Sequence, residues 1–229
     1  MTEQQDTKKA SLSYRLRFEK KGPIRLISHL DLTRAFHRAF IRASLPLKFS
    51  EGFSPHPKFS FALPLSVGTE SETELADFSL QGDSLPPSEE ILSRLQAQMP
   101  DGIRLLSIGP QEGKFSEIAF ASYRVLLPEA KSSQIFAAEK CLAGPLTVQK
   151  KNKKGKWVEK DLSPGIHSLK FVPSEEGGVV LEAYLSVSAE LYTKPEAILG
   201  ILSERLPEFS VKGKRILRTG IFRSDLVAF

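Results

Sequence analysis

Ser13 to Glu19 (SYRLRFE) alternates apolar and polar positions, with Tyr14, Leu16 and Phe18 on one side, and predicts a strand with one wet face. After Gly22-Pro23 the period changes. Leu32, Ala35, Phe36, Ala39, Phe40 and Ala43 recur at helical spacing, which predicts a helix over His29 to Ala43 with one apolar stripe. A proline-containing connection over residues 44–57 leads to a strand at Lys58 to Leu65. The pattern then predicts a strand at Glu74 to Leu80, a helix at Ser88 to Met99 capped by Ser88, and a strand at Ile103 to Gly109.

That order is β-α-β-β-α-β, the split βαβ arrangement. The second half repeats it in element order without obvious sequence identity. Its predicted strands are Ala119 to Leu127, Pro145 to Lys150, Lys156 to Leu162, Ile166 to Val172, Val179 to Val187 and Phe209 to Arg218. Its predicted helices are Ser132 to Leu142 and Pro195 to Leu206. The expected fold is therefore α+β, with tandem ferredoxin-like (βαββαβ) domains, the second extended by an extra hairpin. The expected division is a disordered tail at 1–12, a first domain at 13–112 and a second at 117–229.

Composition narrows the class. Apolar residues make up 41% and charged residues 26% of the 229, the balance of a globular protein rather than a fibrous or disordered one. The start, MTEQQDTKKAS, has no apolar core and does not read as a signal peptide, and no apolar run is long enough to span a bilayer. A single cysteine, Cys141, excludes an internal disulfide and any cysteine-built zinc or iron–sulfur site within this chain. A reduced, cytoplasmic protein is expected.

Charge is segregated along the chain. From Lys8 to Lys58 twelve Lys and Arg face three acids, +9; from Glu70 to Glu112 nine acids face two Arg, −7. A basic face suits a polyanionic partner. Arg34, Arg38 and Arg42 stand at i, i+4 and i+8 of the first predicted helix, a row whose planar forks match phosphate oxygens. Its alternative is a solvated helix face. Ser28 and Asp31 have the spacing of a capping box, which leaves His29 in the first turn either for an anion or for solvent. His37 either extends the basic face or packs at its border.

Two prolines fix extended backbone on either side of His56, in Gly52-Phe53-Ser54-Pro55-His56-Pro57-Lys58. Phe53 is either a base-stacking platform or, slightly favoured, a loop anchor. Fourteen helical residues rise about 21 Å, so His29 and His56 meet only if the loop folds back along the helix, and no metal site is assigned. A second basic element, Lys150, Lys151, Lys153, Lys154 and Lys156 beside Trp157, suits a nucleic-acid backbone and a base face, although charged tips also keep edge strands soluble. Lys212, Lys214, Arg215, Arg218 and Arg223 form a third cluster. GxGxxG, GxxxxGK[ST], HExxH and GxSxG are all absent.

The segment Phe18 to Gly68 resembles the opening of the radical-SAM-associated (radical-SAM-linked) protein family, whose function is unassigned. The matching positions are Gly22, Arg25, Ser28-His29-Leu30-Asp31, Arg34, Arg38, Pro46, Gly52-Phe53, Pro55-His56-Pro57-Lys58, Pro64-Leu65 and Gly68. The later two-thirds matches in general character only. Members are fused to, or encoded beside, a radical SAM protein. The resemblance thus implies a non-covalent radical SAM partner that carries the iron–sulfur cluster, with no cofactor in this chain.

The function expected from this reading is an accessory protein that binds structured RNA, tRNA or rRNA, and works with that partner in RNA modification, without membrane binding or stand-alone activity. Arg34, Arg38, Arg42, Lys58 and the Lys150–Lys156 hairpin would hold RNA. The first alternative is a metal-independent RNA-processing enzyme using His29, His37 or His56 as acid and base. Its architecture resembles that of the CRISPR repeat-cleaving endonucleases, though their C-terminal glycine-rich loop has no convincing counterpart here. The second is a protein–protein adaptor for the radical SAM partner.

Overall fold

A computed structural model describes residues 10–151 and 155–229. Of the tail expected at residues 1–12, residues 1–9 lie outside the described residues, as do Lys153 and Lys154, while residues 10–12 belong to a strand. The chain divides into two units, Met1–Gly113 and Lys114–Phe229. Each mixes helices with antiparallel strands, an α+β architecture.

In the first unit the elements run β1 (Ala10–Lys20), α1 (His29–Arg42), β2 (Phe59–Phe61), β3 (Thr69–Gly82), α2 (Ser88–Gln96) and β4 (Ile103–Pro110). β1 lies between β4 and β3, and β2 pairs with the other edge of β3, every pairing antiparallel. β1 begins three residues earlier than the alternation suggests, because Ala10, Ser11 and Leu12 pair with Gly82, Gln81 and Leu80. β2 is shorter than expected and β3 longer. The stretch of β3 added before Glu74 hides polar residues, with Thr69 and Ser71 buried, so it carries no apolar signal.

Inward-facing Tyr14, Leu16, Phe18, Ala76, Phe78 and Leu80 form one core with Leu32, Phe36, Ala39 and Phe40 of α1 and Ile91 and Leu95 of α2. Period-two alternation sends Arg15 and Asp77 to the opposite face of the same sheet. α2 is capped by the backbone of Pro87 rather than by Ser88, which is already its first helical residue. Glycine is required at Gly102, where φ is +88° and a Cβ would run into the Lys21 carbonyl oxygen.

The second unit contains β5 (Ile118–Leu127), α3 (Ile135–Leu142), β6 (Thr147–Lys151), β7 (Trp157–Asp161), β8 (Ile166–Pro173), β9 (Val179–Ser186), α4 (Pro195–Arg205) and β10 (Arg215–Arg223). Its strands are ordered β10-β5-β9-β8, all antiparallel, while β6 and β7 form a separate hairpin. The strand expected at Phe209 to Arg218 lies six residues later. Phe209 instead drops into the core, edge-on to Phe171 at 5.7 Å, and Gly213 turns the chain with φ +64° before β10 begins.

Candidate functional site

The segment between β1 and α1 is held from below by a buried amine. Lys20 is 2% exposed and donates to the Arg25 carbonyl oxygen at 3.4 Å, and the same oxygen accepts the Gly68 N–H at 2.8 Å. Burial pushes the Lys20 ammonium down from its ordinary value, and the nearby charge of Glu74 opposes the shift. Gly22, with φ +72°, gives its N–H to Glu70 Oε1 at 2.7 Å. Gly22, Arg25 and Gly68 therefore build one junction between two turns.

Ser28 caps α1. Its Oγ accepts the Asp31 N–H at 3.1 Å and donates to Asp31 Oδ2 at 2.7 Å. These bonds, with the Arg34 guanidinium, hold the Asp31 carboxyl below its usual range. His29 is exposed, edge-on to Phe61 with ring centroids 5.3 Å apart. His37 packs at the border of the apolar stripe: it is half-buried, edge-on to Phe59 at 5.5 Å, and its buried Nε2 has no partner among the described residues. Burial lowers its pKa.

Arg34, Arg38 and Arg42 are all exposed on α1. Asp31 is not the only group engaging the row. Arg34 reaches Asp31 Oδ1 at 3.2 Å, whereas Arg42 is tied to the Gln98 carbonyl at 2.6 Å and to its side-chain oxygen at 3.2 Å. Arg38 has no ion-pair partner among the described residues.

The connection from α1 to β2 is a closed excursion. Lys58 N–H donates to the Lys48 carbonyl at 2.7 Å, Ser50 N–H to the His56 carbonyl at 2.8 Å, and Phe49 bridges Pro57. Gly52, with φ +124°, turns the tip. Phe53 stands fully exposed there, so it anchors nothing among the described residues. His56 Nδ1 lies 3.0 Å from Ser50 Oγ and 3.4 Å from the Ser54 carbonyl oxygen.

From this loop into β2, parity divides the side chains. Phe59 and Phe61 turn inward to meet Phe36, and Phe59 also meets His37. His56, Lys58 and Ser60 line a groove of about 290 Å³ with Asp77, Ser79 and Gln111. The groove opens on the sheet face opposite α1. Asp77 in this lining belongs to the buried pair Arg15–Asp77: Arg15 Nε and Nη2 donate to the two carboxylate oxygens at 2.8 Å each, and Gln111 Nε2 donates to Asp77 Oδ2 at 2.8 Å.

The structure therefore does not gather the sequence-predicted residues into one surface. Arg34, Arg38 and Arg42 lie on α1, and Lys58 lies across the sheet. Nor does it join His29 to His56, since His29 meets Phe61, five extended residues (about 16 Å of chain) beyond His56. No group of three or more His, Cys, Asp or Glu side chains stands together as metal ligands among the described residues. Arg15, Asp77 and Gln111 went unnoticed in the sequence, because no local pattern links positions 62 and 34 residues apart.

In the second unit, Trp157 is exposed on the β6–β7 hairpin, and Lys151 Nζ lies 5.0 Å from its ring centroid. Lys151 and Lys156 are exposed as well, and Lys150 lies within β6. The C-terminal basic cluster is not a single surface. Arg218 is 1% exposed and sits 5.6 Å over the Tyr123 ring, Arg215 pairs with Glu176 at 3.0 Å, and Arg223 pairs with Glu117 at 3.8 Å. No helix among the described residues is long and apolar enough to cross a membrane.

No curated protein matches this chain. Among solved structures it is similar to the crystal structure of an unknown protein from Galdieria sulphuraria, at 14% identity over 90% of this chain and 96% of that one, with a TM-score of 0.28. Residues 13–195, which include both α1 and the groove, match the model of a family described as an uncharacterized protein conserved in bacteria (DUF2344). The chain belongs to that bacterial family.

Proposed function

We propose that this protein is an RNA-binding accessory protein that works with a separate radical SAM enzyme. The observation that carries the RNA reading is the outer face of α1. Three arginines stand in register there, one acid neutralises the row, and Arg38 is uncommitted among the described residues. A phosphate backbone would relieve their mutual repulsion and accept their planar forks. The exposed Trp157, with Lys151 beside it, supports a second contact of the stacking kind.

The radical SAM partner rests on the resemblance of Phe18 to Gly68 to the radical-SAM-linked family. Each unit is read as a ferredoxin-like split βαβ; the order β4-β1-β3-β2 supports this for the first and β10-β5-β9-β8 for the second.

The test is fluorescence anisotropy of a labelled tRNA against salt. Affinity is expected to fall steeply with salt, and replacing Arg34 and Arg38 by Gln should reduce the slope by about two. No binding, or binding indifferent to salt, refutes the reading.

A further inference from the structure

The groove beside β2 has three polar side chains with capacity to spare. Residues 56, 58 and 60 alternate with Pro57 and the inward-packed Phe59 and Phe61, so their side chains share one face, about 7 Å apart at each step of two. Among the described residues, the Lys58 ammonium has no ion-pair partner and the Ser60 hydroxyl no hydrogen bond. His56 offers its Nε2, because Nδ1 is turned back to Ser50 and Ser54. That leaves Nε2 as the ring nitrogen free to meet a ligand's polar group.

The acid lining the groove is already neutralised. Asp77 gives both oxygens to Arg15, and one of them also accepts from Gln111, so its charge does not repel an anion above it. With Lys58 at the rim, the groove carries net positive charge. At about 290 Å³ it lies near the lower end of small-ligand sites. A long apolar ligand does not suit this lining; a small anion bearing hydroxyls does.

We propose that this groove is a phosphate subsite for one ribonucleotide unit, with Lys58 and Ser60 on the phosphate and His56 Nε2 hydrogen-bonded to a sugar hydroxyl. That the phosphate belongs to an RNA strand rests on the proposed function; recognition of the phosphate itself does not. The subsite lies across the sheet from α1, so it is independent of the arginine row. Flanking prolines pre-set the backbone at His56, which lowers the ordering cost of binding.

The experiment titrates the full chain with inorganic phosphate, a ribonucleoside 5′-monophosphate and a short single-stranded oligoribonucleotide, read by NMR shifts and calorimetry. Lys58→Gln, Ser60→Ala and the Arg34/Arg38→Gln double variant are compared with the unchanged chain, and circular dichroism checks that each folds. The expected result is monophosphate binding tighter than inorganic phosphate, weakened at least tenfold by Lys58→Gln and unchanged by the α1 double variant. His56→Gln should abolish the preference for the nucleotide over inorganic phosphate. If the monophosphate binds in this Lys58-dependent way but no oligoribonucleotide does, the subsite stands as one for a free nucleotide and the RNA reading falls. Absence of monophosphate binding, or binding untouched by Lys58→Gln and Ser60→Ala, overturns the subsite whatever the oligoribonucleotide does.

Discussion

Replacing Asp77 by Ala should be among the more damaging single changes in the first unit, although Asp77 itself faces away from the apolar core that its neighbours Ala76 and Phe78 fill. Arg15 and Asp77 are each 8% exposed, and the guanidinium meets both carboxylate oxygens at 2.8 Å. Removing one partner of a buried ion pair leaves the other charge uncompensated, at about 3–5 kcal/mol. Arg15 keeps its bonds to the carbonyls of Glu112 and Gly113, and the groove lets water approach, so the cost should fall at the lower end, about 3 kcal/mol. That is roughly a hundredfold in the folding equilibrium. Urea denaturation followed by circular dichroism measures it. Pairing Asp77→Leu with Arg15→Met removes both charges together and should cost less than either Asp77→Ala or Arg15→Ala alone. A loss below about 1 kcal/mol for Asp77→Ala, or a double variant as unstable as the sum of the singles, would show that the pair does not sustain the sheet face beneath the groove.

Three further outcomes follow from named contacts. Ser28→Ala removes the acceptor for the Asp31 N–H and should cost about 1 kcal/mol, read as a shift of the urea midpoint, with Ser28→Asp restoring most of it. Gly102→Ala should destabilise by more than about 1 kcal/mol, because the residue sits at φ +88° and its new methyl meets the Lys21 carbonyl, which cannot give way as a side chain would; thermal melting checks this. Burial holds the His37 pKa below its ordinary 6.5, so the folded state takes up a proton less readily than the unfolded chain. The stability associated with the neutral ring is present above 6.5 and lost as the pH falls through that value towards the lowered one, and a His37→Gln variant should flatten this part of the pH–stability curve. Asp31 and Glu19, whose carboxyls are held below their usual range, lose their contribution in a separate and more acidic window.

The elements with clean periodicity were legible in the chain. The stripe Leu32, Phe36, Ala39, Phe40 and Ala43 is the buried face of α1 and its C-cap, and Ser28 caps the helix as its spacing predicts. Elements carrying buried polar groups were not. β3 extends back from Glu74 to Thr69 through Ser71, a stretch that reads as a solvated approach to a strand, although Thr69 and Ser71 are within 4% of complete burial. Nothing local marks them, because the residue opposite Ser71 is Lys20, on a different strand. The C-terminal strand lies later than its sequence pattern predicts for the converse reason. Phe209 has the look of a strand residue but fills the core from a turn, and the alternation that forms β10 starts only at Ile216.

The candidate site shows the same division between what is written locally and what is not. Summing charge over Lys8 to Lys58 pools Arg34, Arg38 and Arg42 with Lys58, yet the sheet separates them. The information needed to sort them was present in His56-Pro57-Lys58-Phe59-Ser60-Phe61. Every second residue there is apolar or a proline, so the polar three must face away from whatever the phenylalanines pack against. Phe59 and Phe61 pack against α1, through Phe36 and His37 for the first and through Phe36 and His29 for the second. Lys58 therefore cannot extend the arginine row, and Lys58→Gln and the Arg34/Arg38 double variant perturb two different surfaces. If a single RNA uses both, it must pass around the edge formed by β2, and the two sets of variants should weaken its binding additively, because side chains across a sheet share no partners. An effect from one set and none from the other would mean that only one of the two faces meets RNA.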